Sequence, residues 1–299
     1  MRIIVTGGSG KLGRATVADL LAHGHEVWNV DLAPSREPAS RFTRVDLTDF
    51  GQVYELFRGI DEGCPVIDGL VHLAAIPGPA QAPNAALFAN NIQGSYNVFA
   101  AARHAGIRNI VWASSETLLG LPFDTPPPYV PVDEEYPVRP ESAYSLAKAL
   151  DEEMARHFCR WDPELKMIGL RFSNVMEPAD YGRFPSFDDD PLVRKWNLWG
   201  YIDARDGAQA VRLALEHEAT GMDVFIIANA DTVMSRPSAD LVAGVFPGVP
   251  VRKALGTNET LLSIDKARRV LGYEPRHRDR KSTRLNSSHC LVSRMPSSA

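Results

Sequence analysis

The sequence predicts an α/β protein built on a doubly wound parallel sheet, with a small C-terminal lobe that serves the substrate side. Three observations predict it. Short β-branched runs alternate with helical patterns over residues 1–172; those runs are continuously apolar, as strands covered on both faces must be; and the first strand turns into the first helix through glycines.

Taken in order, "RIIVT" is the first strand, "GGSGKLG" a glycine-rich turn, and "RATVADLLAHG" a helix ended by Gly24. "HEVWNVD" is the second strand, Phe42 to Val45 a short third, and Phe50 to Arg58 a helix. The strand "IDGLVHLAA", a long helix from Asn84 to Ala105, the strand "NIVWASS", a helix carrying Tyr144 and Lys148, and the strand "KMIGLRF" complete the alternation. Six strands in that order imply right-handed crossovers and a Rossmann-type domain over residues 1–172.

Beyond Arg171 the pattern loosens through "EPADYGRFPSFDDDP" and the pair Trp196 and Trp199. A helix from Asp203 to Glu218, a strand "DVFIIAN", a helix near Ala239 to Val245 and a last helix in "SIDKARRVLG" follow. These pieces form the expected second lobe, 173–277, interleaved with the end of the sheet. The segment Pro122 to Pro140 holds seven prolines in nineteen residues and reads as a loop, either covering a site ahead of Tyr144 or merely crossing the surface. Residues 278–299 lack periodicity, and "KSTRLNSSH" has the look of translated vector sequence, so no chemistry is expected there.

With 299 residues, 44% of them hydrophobic, the chain can bury a substantial core. A net charge of -5 and a pI near 5.9 argue against nucleic-acid or anionic-membrane partners, which call for a concentrated basic surface. Met1 is followed within two residues by a buried strand, without a charged leader and long apolar segment, so a cytoplasmic protein is expected. Cys64, Cys159 and Cys290 are too scattered for a disulfide framework or a tetrahedral metal site, and no metal is expected.

The loop "TGGSGKLG" places Gly7, Gly10 and Gly13 directly after a strand and at the start of a helix. Such glycines let the chain turn tightly and let a pyrophosphate approach the amides at the helix N-terminus. Asp31 ends the second strand 18 residues beyond Gly13, where a carboxylate accepts from ribose hydroxyls and repels a 2′-phosphate. That favours NAD over NADP, although Arg36 lies five residues on and keeps NADP open. In "ESAYSLAK", Tyr144 and Lys148 stand four positions apart, so they share a helix face, as an acid/base pair or by chance.

Together these motifs resemble the extended short-chain dehydrogenase/reductases, the NAD-dependent epimerase/dehydratase family, over residues 1–276. "TGGSGKLG" resembles the family's cofactor loop, "VDLTD" its adenine contact, "VHLAA" its fourth-strand motif and "NNIQGSYNVFAAA" its asparagine helix. "ASSETLLG" resembles its serine strand, "PVDEEYPVRPESAYSLAK" its tyrosine/lysine helix, and "LRFSNV", "GYIDARDGAQAV" and "SIDKARRVLGYEP" its later motifs.

The resemblance implies that Tyr144 is the general acid/base and Lys148 its electrostatic partner and a nicotinamide-ribose ligand. It makes Ser115 the hydroxyl that holds the reacting substrate oxygen, with Ser114 the neighbouring alternative. Gly7, Gly10, Lys11, Leu12, Gly13, Asp31, Asp46, Leu47, Leu73, Ala74, Ala75 and Asn91 become cofactor residues alongside Tyr144 and Lys148. Arg171, Asn174, Arg183 and Arg194, with Ser115, become candidate substrate contacts, although Arg183 and Arg194 read sooner as solvated loop charges. The implied partners are a sugar-type substrate and a second copy of the chain, paired through helices near 84–105 and 142–160.

Three departures bear on the substrate. Leu119 stands where the family often has tyrosine, "NVMEP" stands for the common "NVYGP", and only 26 residues separate Asn174 from Tyr201. That span is short for a lobe gripping a nucleotide diphosphate and raises a free-sugar or uronic-acid dehydrogenase as the alternative. Glu116 is the one carboxylate beside Ser115 that a dehydratase would use. A non-enzymatic NAD sensor on the same fold is the reading from another class.

Overall fold

The computed structural model describes residues 1–58 and 66–278. Cys64, Cys290 and most of the tail expected to be free of chemistry lie outside the described residues. The elements, in chain order, are β1 (Arg2–Thr6), α1 (Lys11–Ala22), β2 (Glu26–Asp31), β3 (Arg41–Arg44), α2 (Phe50–Arg58), β4 (Gly69–His72), α3 (Asn84–Ala105) and β5 (Asn109–Ser115). Then come a single 3-10 turn (Glu116–Leu118), α4 (Ala143–Trp161), β6 (Lys166–Phe172) and β7 (Val175–Met176). The remainder is a 3-10 helix (Pro178–Arg183), the one-turn α5 (Phe184–Phe187), a 3-10 helix (Pro191–Asn197), β8 (Ile202–Asp203), α6 (Ala204–Glu216), β9 (Gly221–Ile227), α7 (Ser238–Val245) and α8 (Asp265–Leu271).

Among the described residues seven strands form one sheet in the order β3-β2-β1-β4-β5-β6-β9, every pair parallel. The expected fold class holds, with β9 as a seventh strand beside β6. Successive side chains of a strand face opposite ways, so Ile3 and Val5 of β1 join one core with α1 and α6, while Ile4 joins a second with α2, α3 and α4. The order reverses between β1 and β4, the switch point at which the carboxyl ends of parallel strands leave a crevice.

Local chemistry shifts some predicted ends. Helix α1 begins at Lys11, three residues before the apolar pattern starts, so Gly13 lies inside its first turn. Helix α4 is started by a capping box in which Ser142 and Ser145 exchange bonds, which fixes the turn carrying Tyr144. The strand predicted as "IDGLVHLAA" pairs only over Gly69–His72, because Leu73 to Ile76 turn away at the switch point.

The proline-rich segment is not a plain surface crossing. Leu121, Phe123, Val130, Val132 and Tyr136 are buried in the main core, and Tyr129 is buried beneath Arg252. Val130 accepts from Arg252 and donates to Pro250, and Val132 accepts from Ser263 and donates to Leu261, all backbone bonds of 2.7–2.9 Å. Glu134 accepts the Ile226 amide at 2.8 Å, satisfying a donor of the edge strand β9. Prolines have no N–H to leave orphaned, so the segment can run through the interior with few bonds.

Candidate active site

The crevice is built from the carboxyl ends of β1, β4 and β5 and the N-terminal turns of α1 and α4. Gly7 has φ of 73°, and a Cβ there would lie 2.6 Å from the Ala74 amide nitrogen, so the glycine loop and the Leu73–Ala75 turn touch backbone to backbone. A Cβ on Gly13 would fall 2.1 Å from the Gly7 carbonyl, which forces the first turn of α1 against the loop. Gly8, which the motif spacing did not single out, is restricted by a side chain and not by backbone, since a Cβ there would meet Asn29 Oδ1 at 2.3 Å. The N-cap of α1 is Gly10, with no side chain capping the helix, so the first-turn amides are left to a ligand anion.

Asp31, half-buried at the end of β2, accepts from Ser9 N (3.1 Å) and Leu32 N (2.7 Å), which orients its carboxylate beside the glycine loop. Asp46 caps its own turn through Thr48, and Leu47 is pinned by Asn97, which donates to its carbonyl at 2.9 Å. Lys11 Nζ reaches Asp180 at 2.8 Å and Arg14 reaches Glu177 at 2.6 Å, two ion pairs that strap the segment after β7 over the start of α1. Leu12 packs toward Gly207 of α6 and serves the core.

Asn91 is engaged by the loop after β4. Its Oδ1 accepts from Ile76 N (2.8 Å) and its Nδ2 donates to Ile76 O (3.1 Å), so the amide is used on the turn after β4. It shapes the crevice wall, with both amide ends engaged by the protein.

On α4, Tyr144 is half-buried and Lys148 is buried one turn below it. Lys148 Nζ donates to Ala113 O at 2.8 Å, which seats the ammonium on β5 two residues before Ser115. Ser115 Oγ accepts from Thr117 N (3.2 Å) and Thr117 Oγ1 (3.0 Å), and so keeps its own hydrogen to donate. Ser114 donates to Glu152 at 2.6 Å inside the protein, which leaves Ser115 as the hydroxyl at the crevice.

Arg171 is not brought to the open site. It is 3% exposed, and its Nε and Nη2 take both oxygens of Glu152 at 2.9 and 2.8 Å, a bidentate buried pair. Asn174 accepts from Arg194 Nη1 at 3.1 Å. The expectation that Arg194 is a solvated loop charge fails: the residue is 6% exposed, donates to the Gly200 carbonyl at 2.8 Å, and lies over the rings of Phe187 and Trp196. Burial pushes its guanidinium down to about 10, still charged at neutral pH. Arg183 is exposed, as expected.

Glu116 turns inward. Ser173 Oγ donates to it at 2.6 Å and Asn197 Nδ2 at 3.2 Å, and burial pushes its carboxyl up to about 7, against the pull of those donors and of Arg194. Sequence reasoning missed this network because Asn197 lies 81 residues away along the chain. Among the described residues no group of histidine, cysteine or acidic side chains could hold a metal, and no helix is long and apolar enough to cross a membrane. Cys159 is buried, and its thiol is pushed up to about 11 by burial.

Comparison with known proteins decides the family. The family model for "NAD dependent epimerase/dehydratase family" matches residues 3–228. The chain belongs to that family. It is 26% identical to the UDP-glucose 4-epimerase of Lactobacillus helveticus over 318 aligned positions, covering 93% of each chain. It is 30% identical to UDP-glucose 4-epimerase 2 of Oryza sativa subsp. japonica over 219 positions, 67% of this chain but only half of the rice protein. A short-chain dehydrogenase/reductase superfamily protein from Agrobacterium tumefaciens, solved with bound NAD, superposes with a TM-score of 0.69 at 25% identity, over 96% of this chain and 99% of that one. This protein is therefore a member of the extended short-chain dehydrogenase/reductases.

Proposed function

We propose that the protein is an NAD-dependent oxidoreductase of the epimerase/dehydratase type, acting on a hydroxyl-bearing carbon of a sugar or sugar derivative. The observation that carries this reading is the seating of Lys148 on Ala113 O, one helical turn from Tyr144 and two residues before Ser115. A base, a cation to favour its ionised form and a hydroxyl to orient the substrate oxygen converge on one crevice.

NAD, when bound, supplies the hydride acceptor. The residues present fit it: the uncapped amides of Lys11, Leu12 and Gly13 would take the pyrophosphate, Asp31 the adenosine ribose, and Asp46 and Leu47 the adenine side. The turn Leu73–Ala75, held by Gly7 and Asn91, would wall the crevice. Asp31 disfavours a 2′-phosphate, which makes NADP the lesser cofactor. Ser115 and Asn174 would meet the substrate, while Arg171, committed to Glu152, would support the floor beneath. Tyr144 takes the hydroxyl proton while Ser115 holds the oxygen, and returns it if the oxidised sugar is reduced on its other face.

The UDP-glucose 4-epimerases that the chain resembles favour the epimerase outcome. A specific observation favours a second reading, a free-sugar or uronic-acid dehydrogenase. The short stretch after Asn174 folds back onto the main core, with Phe184, Phe187 and Trp199 buried there, instead of opening as a long clamp. In either case residues 1–172 would carry the cofactor and 173–277 the substrate side, in a cytoplasmic homodimer. The exposed Tyr96 on α3 and Leu146 and Leu150 on α4 support that pairing.

The test supplies NAD with UDP-glucose, UDP-galactose, free sugars and uronic acids, following NADH absorbance and product epimers. Interconversion without net NADH marks an epimerase; accumulation of NADH with a uronic acid marks the dehydrogenase. Full turnover by Tyr144→Phe on a working substrate would sink both.

A further inference from the structure

A buried carboxylate stands directly behind the lysine of the site. Tyr144, Lys148 and Asp151 fall at i, i+4 and i+7 of α4, one stripe of the helix running inward from the crevice. Asp151 Oδ2 lies 3.3 Å from Lys148 Nζ, and the two side chains are 0% and 3% exposed. The ammonium is thus held between a carboxylate and the Ala113 carbonyl.

Few other charges reach this position. From α3 the Ser95 hydroxyl faces the Asp151 carboxyl and favours its ionised form. From β4, His72 bonds Ser95 Oγ through Nε2 (3.3 Å) and Thr6 Oγ1 through Nδ1 (2.7 Å). Burial drives that imidazole down to about 3, so it is neutral at working pH and adds no charge. Glu152, next along α4, is turned to Ser114 and Arg171. Lys148 is therefore the cation facing Asp151; burial, with a smaller push from the neighbouring Glu152, holds the Asp151 carboxyl above the usual range, against the pull of Lys148 and Ser95.

A carboxylate here is costly. Its Oδ1 is buried without a direct hydrogen bond, and a buried ion pair commonly contributes less to stability than an apolar pair of the same volume. The Ala113 carbonyl alone could seat Lys148. What the carboxylate adds is charge, placed on the side of Lys148 away from Tyr144.

We propose that Asp151 is a positioning residue that acts through Lys148, fixing the ammonium against β5 and offsetting part of its charge, and so setting how strongly the lysine favours the phenolate of Tyr144. This rests on the reading of Tyr144 as the proton-transfer residue. Removing the negative charge raises the positive potential at the phenol, so the phenolate should form more readily.

The titration itself needs no substrate. The full chain is titrated with base while tyrosinate absorbance is followed, with and without Tyr144→Phe, and the difference isolates Tyr144. In Asp151→Asn, which keeps the shape and loses the charge, that component should appear about one pH unit lower than in the parent. Asp151→Glu, which keeps the charge, should leave it near the parental position, whereas a merely structural role would perturb both variants alike. If Asp151→Asn does not fold, Asp151→Ser carries the same expectation. A component that stays put or moves to higher pH in a folded neutral variant overturns the proposal. If Tyr144→Phe leaves turnover untouched, the functional reading falls. If it abolishes turnover while the titration is unmoved by Asp151→Asn, only the role of Asp151 falls.

Discussion

The cofactor side of the crevice and the stretch from Asn174 to Tyr201 handle polarity in opposite ways. Around the glycine loop the polar work is done by backbone: amides of the first turn of α1, a positive φ at Gly7, and close approaches that admit no Cβ. Its charged side chains, Lys11 and Asp180, sit at the rim and are partly solvated. The later stretch leaves Arg183, Asp189 and Asp190 exposed but buries Arg194 against a carboxylate of the segment after β5. Arg194 and Glu116 lie inside, with Asn197, Ser173 and Asn174 between them as hydrogen-bond partners. A region that must admit an anion keeps donors open, while a region that must hold one shape consumes its polar groups internally.

That contrast can be broken most severely at the tyrosine. Tyr144→Phe should lower turnover on a working substrate by roughly 100- to 10,000-fold, the usual range for a lost general base, with little change in melting temperature. Next is the pair beneath the crevice: Arg171→Met strands the Glu152 carboxylate in the interior and should cost about 3–5 kcal/mol in urea unfolding, with partial recovery on adding Glu152→Gln.

The Glu116 network gives a pH-dependent difference. The folded state holds the Glu116 proton up to about pH 7, whereas the unfolded chain releases it at the ordinary 4.5. Burial of this acid is therefore neutral below 4.5, erodes stability as pH rises between those values, and reaches its full cost above 7. Glu116→Gln should match the parent near pH 5 and exceed it at pH 8 by roughly 3 kcal/mol at most, read by denaturant melts at both pH values. Equal melts at pH 8 would mean that the carboxylate is matched by Arg194.

The smallest effect belongs to the rim. Lys11→Ala or Asp180→Asn should change stability by less than about 1 kcal/mol, because the pair is partly solvated. Calorimetric titration with NAD would show whether the strap they close bears on cofactor affinity.

Much of this was legible before any fold was in hand. The parallel sheet, Gly7, Gly10 and Gly13, and the Tyr144/Lys148 helix are local signals, carried by periodicity, by φ-permissive residues and by i, i+4 spacing. Asp31 at the end of β2 was legible for the same reason. Arg194 was not, since its partners Asn174 and Gly200 meet it only through the folding of the 3-10 helix around it. The proline-rich segment was legible as a loop but not as part of the core, because its bonds run to residues 250–263.

The sequence by itself determined the class of fold, the glycine loop and the placing of Tyr144 and Lys148 one turn apart on a helix, since each depends on neighbours within one turn or one strand. Only the tertiary structure decided which polar residues remain free to act. Arg171, Asn91 and Ser114 look as available as Ser115 in the chain, yet Glu152 and Ile76 engage them, and Ser115 keeps its hydrogen at the crevice. A buried donor takes whichever acceptor packing brings to it, and that choice is made by contacts between elements distant in sequence.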